Sequence, residues 1–277
     1  MPNTPETAGP LPPSTPEAAG LAPSTAEPGG AEAASEPGQA APTPEPGRAA
    51  AAGRAGRLIP DGAEPFASGR DADVYSLDDK WVLRRYRDGH PVRDEAEYMT
   101  WVAKYDYPVP AVRQVDGPDM VIERLTGPTL ADAAIAGDLS PSDLGRMHAD
   151  LHRRLHTIPA PSGTHGNVVI HGDLHPYNVI LTSTGPVVID WRNAEEGPPE
   201  FDLAMTAIIF AQVALDPAFA SLSGMLREAL AVYLANSIDL MPGLDAALAA
   251  RGRNRTLSQE ELDLLPAQAE LIRSHLH

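Results

Sequence analysis

Three oxygen-bearing side chains stand at telling distances in the middle of the chain. The stretch His171-Gly172-Asp173-Leu174-His175-Pro176-Tyr177-Asn178 is followed, after a short turn, by Val187-Val188-Ile189-Asp190-Trp191. It places an aspartate, an asparagine five residues later and a second aspartate after an apolar run. Phosphoryl transfer needs such a set. One carboxylate accepts the proton of an attacking hydroxyl, while an amide oxygen and another carboxylate hold magnesium on ATP.

The flanking residues say how the set is positioned. Pro176 continues neither a regular helix nor a central strand, so Asp173 and Asn178 bracket a short loop. Val179-Ile180-Leu181 and Pro186-Val187-Val188-Ile189 are apolar runs of strand length, and Thr182-Ser183-Thr184-Gly185 between them is turn chemistry. A hairpin there returns the chain so that Asp190 emerges near Asn178. Two hard oxygen donors then converge, which suits magnesium better than a soft metal. A rival reading takes His171, Asp173 and His175 as alternating zinc ligands on one strand face. Pro176 directly after them, and the lack of a second His/Cys cluster, argue against it.

The pattern resembles the aminoglycoside phosphotransferase and choline kinase-like family, a branch of the protein-kinase-like fold. There the catalytic loop reads H-G-D-x-x-x-x-N, and I-D-W or I-D-F stands where protein kinases have D-F-G. The resemblance implies Asp173 as the base, His171 as a brace of the loop, and Asn178 and Asp190 as magnesium holders. It also implies that the turn after Pro65-Phe66-Ala67-Ser68-Gly69 covers the nucleotide phosphates, although Gly69 alone represents the glycine-rich loop. Trp81-Val82-Leu83-Arg84-Arg85-Tyr86 is then the third strand. Arg84 takes the place of the usual phosphate-binding lysine and keeps the charge in a bulkier, forked shape. Met120-Val121-Ile122-Glu123-Arg124-Leu125 corresponds to the hinge strand, whose backbone around Glu123 and Leu125 would bond adenine. Asp202 in Phe201-Asp202-Leu203-Ala204 matches the family's D-L-A, which fixes the catalytic loop.

Periodicity selects between two glutamates. Residues Asp94 to Tyr105 read as a helix, and at about 100° per residue Tyr98, Met99, Trp101, Val102 and Tyr105 share a face. Glu95 projects from the middle of that face and Glu97 lies opposite. A carboxylate in an apolar face needs a cationic partner; by the resemblance that partner is Arg84.

Composition sets the outer bounds. Residues 1–56 are nearly all Pro, Ala, Gly, Glu, Ser and Thr, a composition that cannot bury enough apolar surface to order itself, and they read as a disordered tail. The amino end lacks the basic and apolar runs of a secretory signal. No stretch approaches the ~20 apolar residues of a membrane span. There is no cysteine, hence no disulfide or thiolate site. The formal charge of −17 disfavours a nucleic-acid partner. A cytoplasmic protein with no obligate protein partner is the expectation.

Elsewhere Ser140-Pro141-Ser142-Asp143 reads as a helix start, with Leu144, Met147, Leu151 and Leu155 as a core stripe. His148, His152 and His156 recur every fourth residue with no acidic partner apparent, which favours a packing or surface role. Ser258 and Glu261 make a capping box. Glu195 and Glu196, near the cleft, read either as contacts for a cationic substrate or as a solvated loop. The expected fold is α+β and kinase-like: a small antiparallel nucleotide-binding lobe (57–125) and a mostly helical catalytic and acceptor-binding lobe (126–277). The expected activity is ATP-dependent transfer to a hydroxyl of a small molecule. A nucleotide-binding protein without turnover is the alternative.

Overall fold

The computed structural model describes residues 59, 62–69, 71–254 and 257–276. The expected tail, 1–56, lies outside them. The first part of the described chain is an antiparallel sheet with one helix. Its elements are β1 (Ala67–Ser68), β2 (Ala72–Ser76), β3 (Trp81–Tyr86), α1 (Arg93–Ala103), β4 (Val112–Asp116) and β5 (Asp119–Glu123). The sheet order is β1-β2-β3-β5-β4. Asp78 sets the β2–β3 turn, its Oδ1 accepting the N–H groups of Lys80 (2.7 Å) and Trp81 (2.8 Å).

Two glutamates on α1 part as their phase requires: Glu95 is buried and Glu97 exposed. The helix stops at Ala103, short of the expected Tyr105, which is therefore an exposed side chain and no part of the apolar face.

The second part is mainly helical. It contains α2 (Leu130–Ala136), α3 (Pro141–Leu155), α4 (Pro199–Leu215), α5 (Ser223–Ala235), α6 (Met241–Gly252), α7 (Gln259–Asp263) and α8 (Leu265–Ser274). Between α3 and α4 run β6 (Val168–Ile170), β7 (Val179–Thr182), β8 (Gly185–Val188) and β9 (Glu195–Gly197). Ser140 caps α3 with Pro141 in its first turn, and Ser258 and Glu261 form the expected reciprocal box on α7. Leu144, Leu151 and Leu155 are buried as predicted; α4, apolar on every side, runs through the core.

Two expectations need correction. Pro217–Ala235 is long and apolar enough, by length and composition, to match a membrane span. It is a 3-10 segment (Pro217–Leu222), itself kinked at Phe219, that runs into α5, and Leu226, Ala229, Leu230, Tyr233 and Leu234 of α5 lie in the core. Glu195 and Glu196 are strand rather than loop: β9 pairs with β6, and the Glu196 carboxylate accepts the Ser162 N–H at 2.8 Å.

Gly127 joins the two parts of the chain. Its φ is +147°, and a Cβ there would fall 2.1 Å from the Leu181 carbonyl oxygen on β7. Gly127→Ala should therefore destabilise the protein by about 1–3 kcal/mol or more. Gly224→Ala, in open space on α5, should leave stability unchanged or raise it by roughly 0.5 kcal/mol. Urea unfolding midpoints check both.

Candidate active site

The loop that carries Asp173 leaves β6 at Ile170 and is irregular, so His171, Asp173 and His175 do not share a strand face. Gly172 has φ +75°, with Asn193 so close that a Cβ would meet its carbonyl oxygen at 3.0 Å. Glycine is required at that point. Asp202, near the start of α4, holds the loop's entry. Its Oδ2 accepts the His171 N–H (3.0 Å) and its Oδ1 the Gly172 N–H (2.8 Å). Burial works against the Asp202 charge. The His156 hydrogen bond, the His152 and His156 imidazoles and the His171 N–H outweigh it, and hold the carboxyl below the usual carboxylate range.

His171 braces the loop from within. Its Nε2 donates to the Ile189 carbonyl (3.1 Å), and its Nδ1 accepts the Asp173 N–H (3.3 Å). Both ring nitrogens are thus occupied, which removes His171 from any zinc set. Burial pushes its pKa down despite Asp202 and Asp190. His175 is also buried, its pKa pushed down to about 3 by desolvation and the neighbouring His171. Its Nε2 lies 3.7 Å from an Asp173 carboxylate oxygen.

Pro176 opens a 3-10 turn that ends at Asn178. The Asn178 side-chain nitrogen donates to the Asp173 carbonyl (2.9 Å) and lies 3.2 Å from His175 Nε2. The amide group is therefore oriented, and its oxygen is left as the free acceptor. The hairpin forms as expected, with Val179 opposite Val188 and Thr182 opposite Gly185. The Ile189 N–H donates to the Asn178 carbonyl at 2.9 Å, which brings the Asn178 and Asp190 backbones side by side. Asp190 itself has φ +62°, an uncommon conformation that aspartate tolerates better than most residues. Burial raises its pKa and Arg84 opposes that rise.

The small sheet contributes a second group of charges. Arg84 on β3 forms an ion pair with Glu95, the partner that the family resemblance implied. Arg85 points the other way and binds Asp119 through two bonds, 2.6 and 2.8 Å. Burial opposes the Arg84 charge, but Glu95, Tyr86 and Asp190 outweigh it and keep the guanidinium protonated. Arg84 Nε is buried without a hydrogen-bond partner, an unused donor beside the site. Glu95 does more than pair with Arg84. Its Oε2 accepts the Tyr86 hydroxyl (3.0 Å) and its Oε1 accepts the Trp191 N–H (3.1 Å), just after Asp190.

The positions expected to form a phosphate loop and a hinge are less distinctive. Gly69 closes a tight turn with its N–H on the Ala72 carbonyl (2.9 Å), and a Cβ there would make only ordinary contact at 3.7 Å. The Glu123 N–H is engaged by the Ala111 carbonyl (2.9 Å), so it is not a donor to a ligand. Leu125 has no backbone partner among the described residues.

Several residues escaped the sequence. Arg192 bonds Asp88 (2.7 Å), approaches Asp71 (3.7 Å) and stacks on the Tyr86 ring (4.5 Å). Arg251 of α6 is fully buried, donates to Gln212 (2.7 Å), and has Asp173 and Glu261 as its charged neighbours. His148 packs against Phe210 as foreseen. His152 and His156 do have an acidic partner, Asp202, which lies on another helix and 46 residues beyond His156 in sequence. Nothing in their local sequence signals it.

Breaking the Arg84–Glu95 pair on one side strands a buried charge. Glu95→Gln should cost about 3–5 kcal/mol of stability, whereas Glu97→Gln on the exposed face should change it by less than about 0.5 kcal/mol. Denaturant titration of the two variants separates them.

Comparison with known proteins places these features in a family. A curated relative, the probable serine/threonine-protein kinase BUD32 homolog of Archaeoglobus fulgidus, is 30% identical over 118 residues. That match covers 43% of this chain, and the chain spans about half (50%) of the relative's length. An ethanolamine kinase from Plasmodium vivax superposes with a TM-score of 0.50 at 12% identity, covering 76% of this chain and 83% of that one. The gentamicin complex of APH(2")-IIa gives 0.49 at 14%, covering 78% and 95%. The ethanolamine kinase shares the two-part fold. The model of the phosphotransferase enzyme family (APH) matches residues 62–166 and 159–235, the greater part of the chain and all of the loop, hairpin and Asp202 helix just described, and the protein belongs to that family.

Proposed function

We propose that this protein transfers the γ-phosphoryl group of ATP to a hydroxyl of a small molecule. The observation that carries this reading is the catalytic loop itself. Asp202 clamps its entry through two backbone N–H groups, and Asn178 is turned so that its amide oxygen is free beside the strand leading to Asp190. Asp173 sits between them as the base. It accepts or orients the hydroxyl proton while the acceptor oxygen bonds to the γ-phosphorus and the bond to ADP breaks. Asn178 and Asp190 are the residues that would hold magnesium, which when bound neutralises charge on the phosphates. Arg84, with its unused Nε donor, reaches the phosphates, and Glu95 fixes Arg84. Leu125, whose backbone groups have no partner among the described residues, is the better adenine contact; the Glu123 N–H serves the strand instead. Gly69 marks the turn over the phosphates. Catalysis of this kind is mostly positioning and charge stabilisation.

On this reading residues 57–125 are the nucleotide-binding lobe and 126–277 the catalytic and acceptor-binding lobe, acting in the cytoplasm where ATP is available. The similarity to an ethanolamine kinase supports a small-molecule acceptor. A second reading, nucleotide binding without turnover, draws on Arg84 in place of lysine and on the turn at Gly69 that makes no demand for glycine.

ADP release across a panel of aminoglycosides, macrolides, amino alcohols and sugars separates the two, since only the first reading yields an acceptor-dependent rate. Asp173→Asn should abolish that rate and leave Mg-ATP affinity within about three-fold; undiminished turnover removes Asp173 from the reaction. Asp190→Ala should weaken nucleotide binding only when magnesium is present, measured by calorimetry with and without the ion.

A further inference from the structure

Behind the catalytic loop two histidines that phosphoryl transfer does not use meet Asp202, the residue that clamps the loop. His152 and His156 stand one turn apart at the end of α3 and face Asp202 on α4. The Nε2 atoms of His156 and His152 lie 3.0 and 3.6 Å from Asp202 Oδ2. One ligand atom from each of the three residues lies within 4.8 Å of the others.

The proton positions make this contact unusual. His152 Nδ1 is 3.2 Å from the His148 carbonyl, which only accepts. It is also 3.2 Å from the Tyr233 hydroxyl, whose own proton goes to the Leu203 carbonyl. The proton of a neutral His152 therefore sits on Nδ1, and Nε2 carries a lone pair. That nitrogen is fully buried and has no hydrogen-bond partner, yet it faces a carboxylate oxygen. Opposed lone pairs in a dry interior are unfavourable unless a cation lies between them. The Tyr107 hydroxyl, another buried group without a hydrogen-bond partner, also senses the Asp202 charge.

We propose that His152 Nε2, His156 Nε2 and Asp202 Oδ2 bind a divalent transition cation of the zinc type, which clamps α3 and α4 behind the catalytic loop. Two imidazoles and one carboxylate suit zinc, whereas magnesium prefers oxygen donors throughout. Tetrahedral bonds of about 2.0–2.1 Å set ligand atoms about 3.3–3.4 Å apart, and the two separations to Oδ2 bracket that value. Outer partners are in place as well. His152 Nδ1–H donates to a backbone carbonyl, and the second Asp202 oxygen holds the Gly172 N–H. The ion takes the place of the proton that His156 otherwise shares with Asp202. His156, the member that is not fully buried, provides the way in.

The test uses the full chain without a histidine tag, stripped with chelator and titrated with Zn²⁺ in the absence of nucleotide and acceptor. Retained metal is read by atomic emission and stability by thermal melting. Expected are about one zinc per chain and a rise in Tm of roughly 5–10 °C at a hundred-fold excess over Kd. His156→Gln should lose both, and so should His152→Gln where it folds; His165→Ala, an exposed control, should keep both. Wild-type protein that retains no zinc and shows no shift overturns the site and leaves a simple His156–Asp202 hydrogen bond. So does a His156→Gln variant that binds as wild type. No phosphate acceptor enters the experiment, so failure of the phosphotransferase reading leaves its result intact.

Discussion

A carboxylate buried in the apolar face of a helix constrains everything around it. Glu95 cannot stay charged there alone, because the interior does not replace the water it gives up. Its two oxygens are met by Arg84 from β3, the Tyr86 hydroxyl and the Trp191 N–H. Those three partners come from the small sheet and from the strand exit that carries Asp190. The rotation of α1, the register of β3 and the path of the chain after β8 are thereby set by one group. The left-handed backbone at Asp190 is held by the same means, since the next residue's N–H is already committed.

Asp202 is the counterpart on the helical side. It grips the loop at its entry, through His171 and Gly172, as Glu95 grips the chain at its exit. His171 joins the two ends by donating to Ile189. The segment bearing Asp173, Asn178 and Asp190 is therefore fastened at both ends and across its middle by buried hydrogen bonds. Rigid placement of this kind lets a few polar side chains act together.

Much of this was legible in the sequence where the signal is local. Turn chemistry between two apolar runs gave the β7–β8 hairpin, helical phase separated Glu95 from Glu97, and Ser-x-x-acid patterns located the caps of α3 and α7. What stayed hidden depends on partners distant in sequence. Arg192 meets Asp88 across 104 residues, and His156 meets Asp202 across 46. Arg251 is buried with Asp173 as a charged neighbour although its own helix shows only a weak pattern. Glu195 and Glu196 looked like a polar loop because a three-residue strand carries too little periodicity to be seen. Pro217–Ala235 looked unremarkable residue by residue, and its length emerged only when a 3-10 turn stacked onto α5.

Arg192 has a consequence for how the Asp190-bearing segment is tied to the small sheet. It leaves the Asp190-bearing segment to reach Asp71, just before β2, and Asp88, just after β3, where the aspartates are 35% and 52% exposed. Its hold is therefore Coulombic and open to solvent ions, whereas the Glu95 contacts are sheltered. Raising ionic strength loosens the outer tether and spares the inner one. The tie between the small sheet and the Asp190-bearing segment thus has a salt-sensitive outer part and a sheltered inner one.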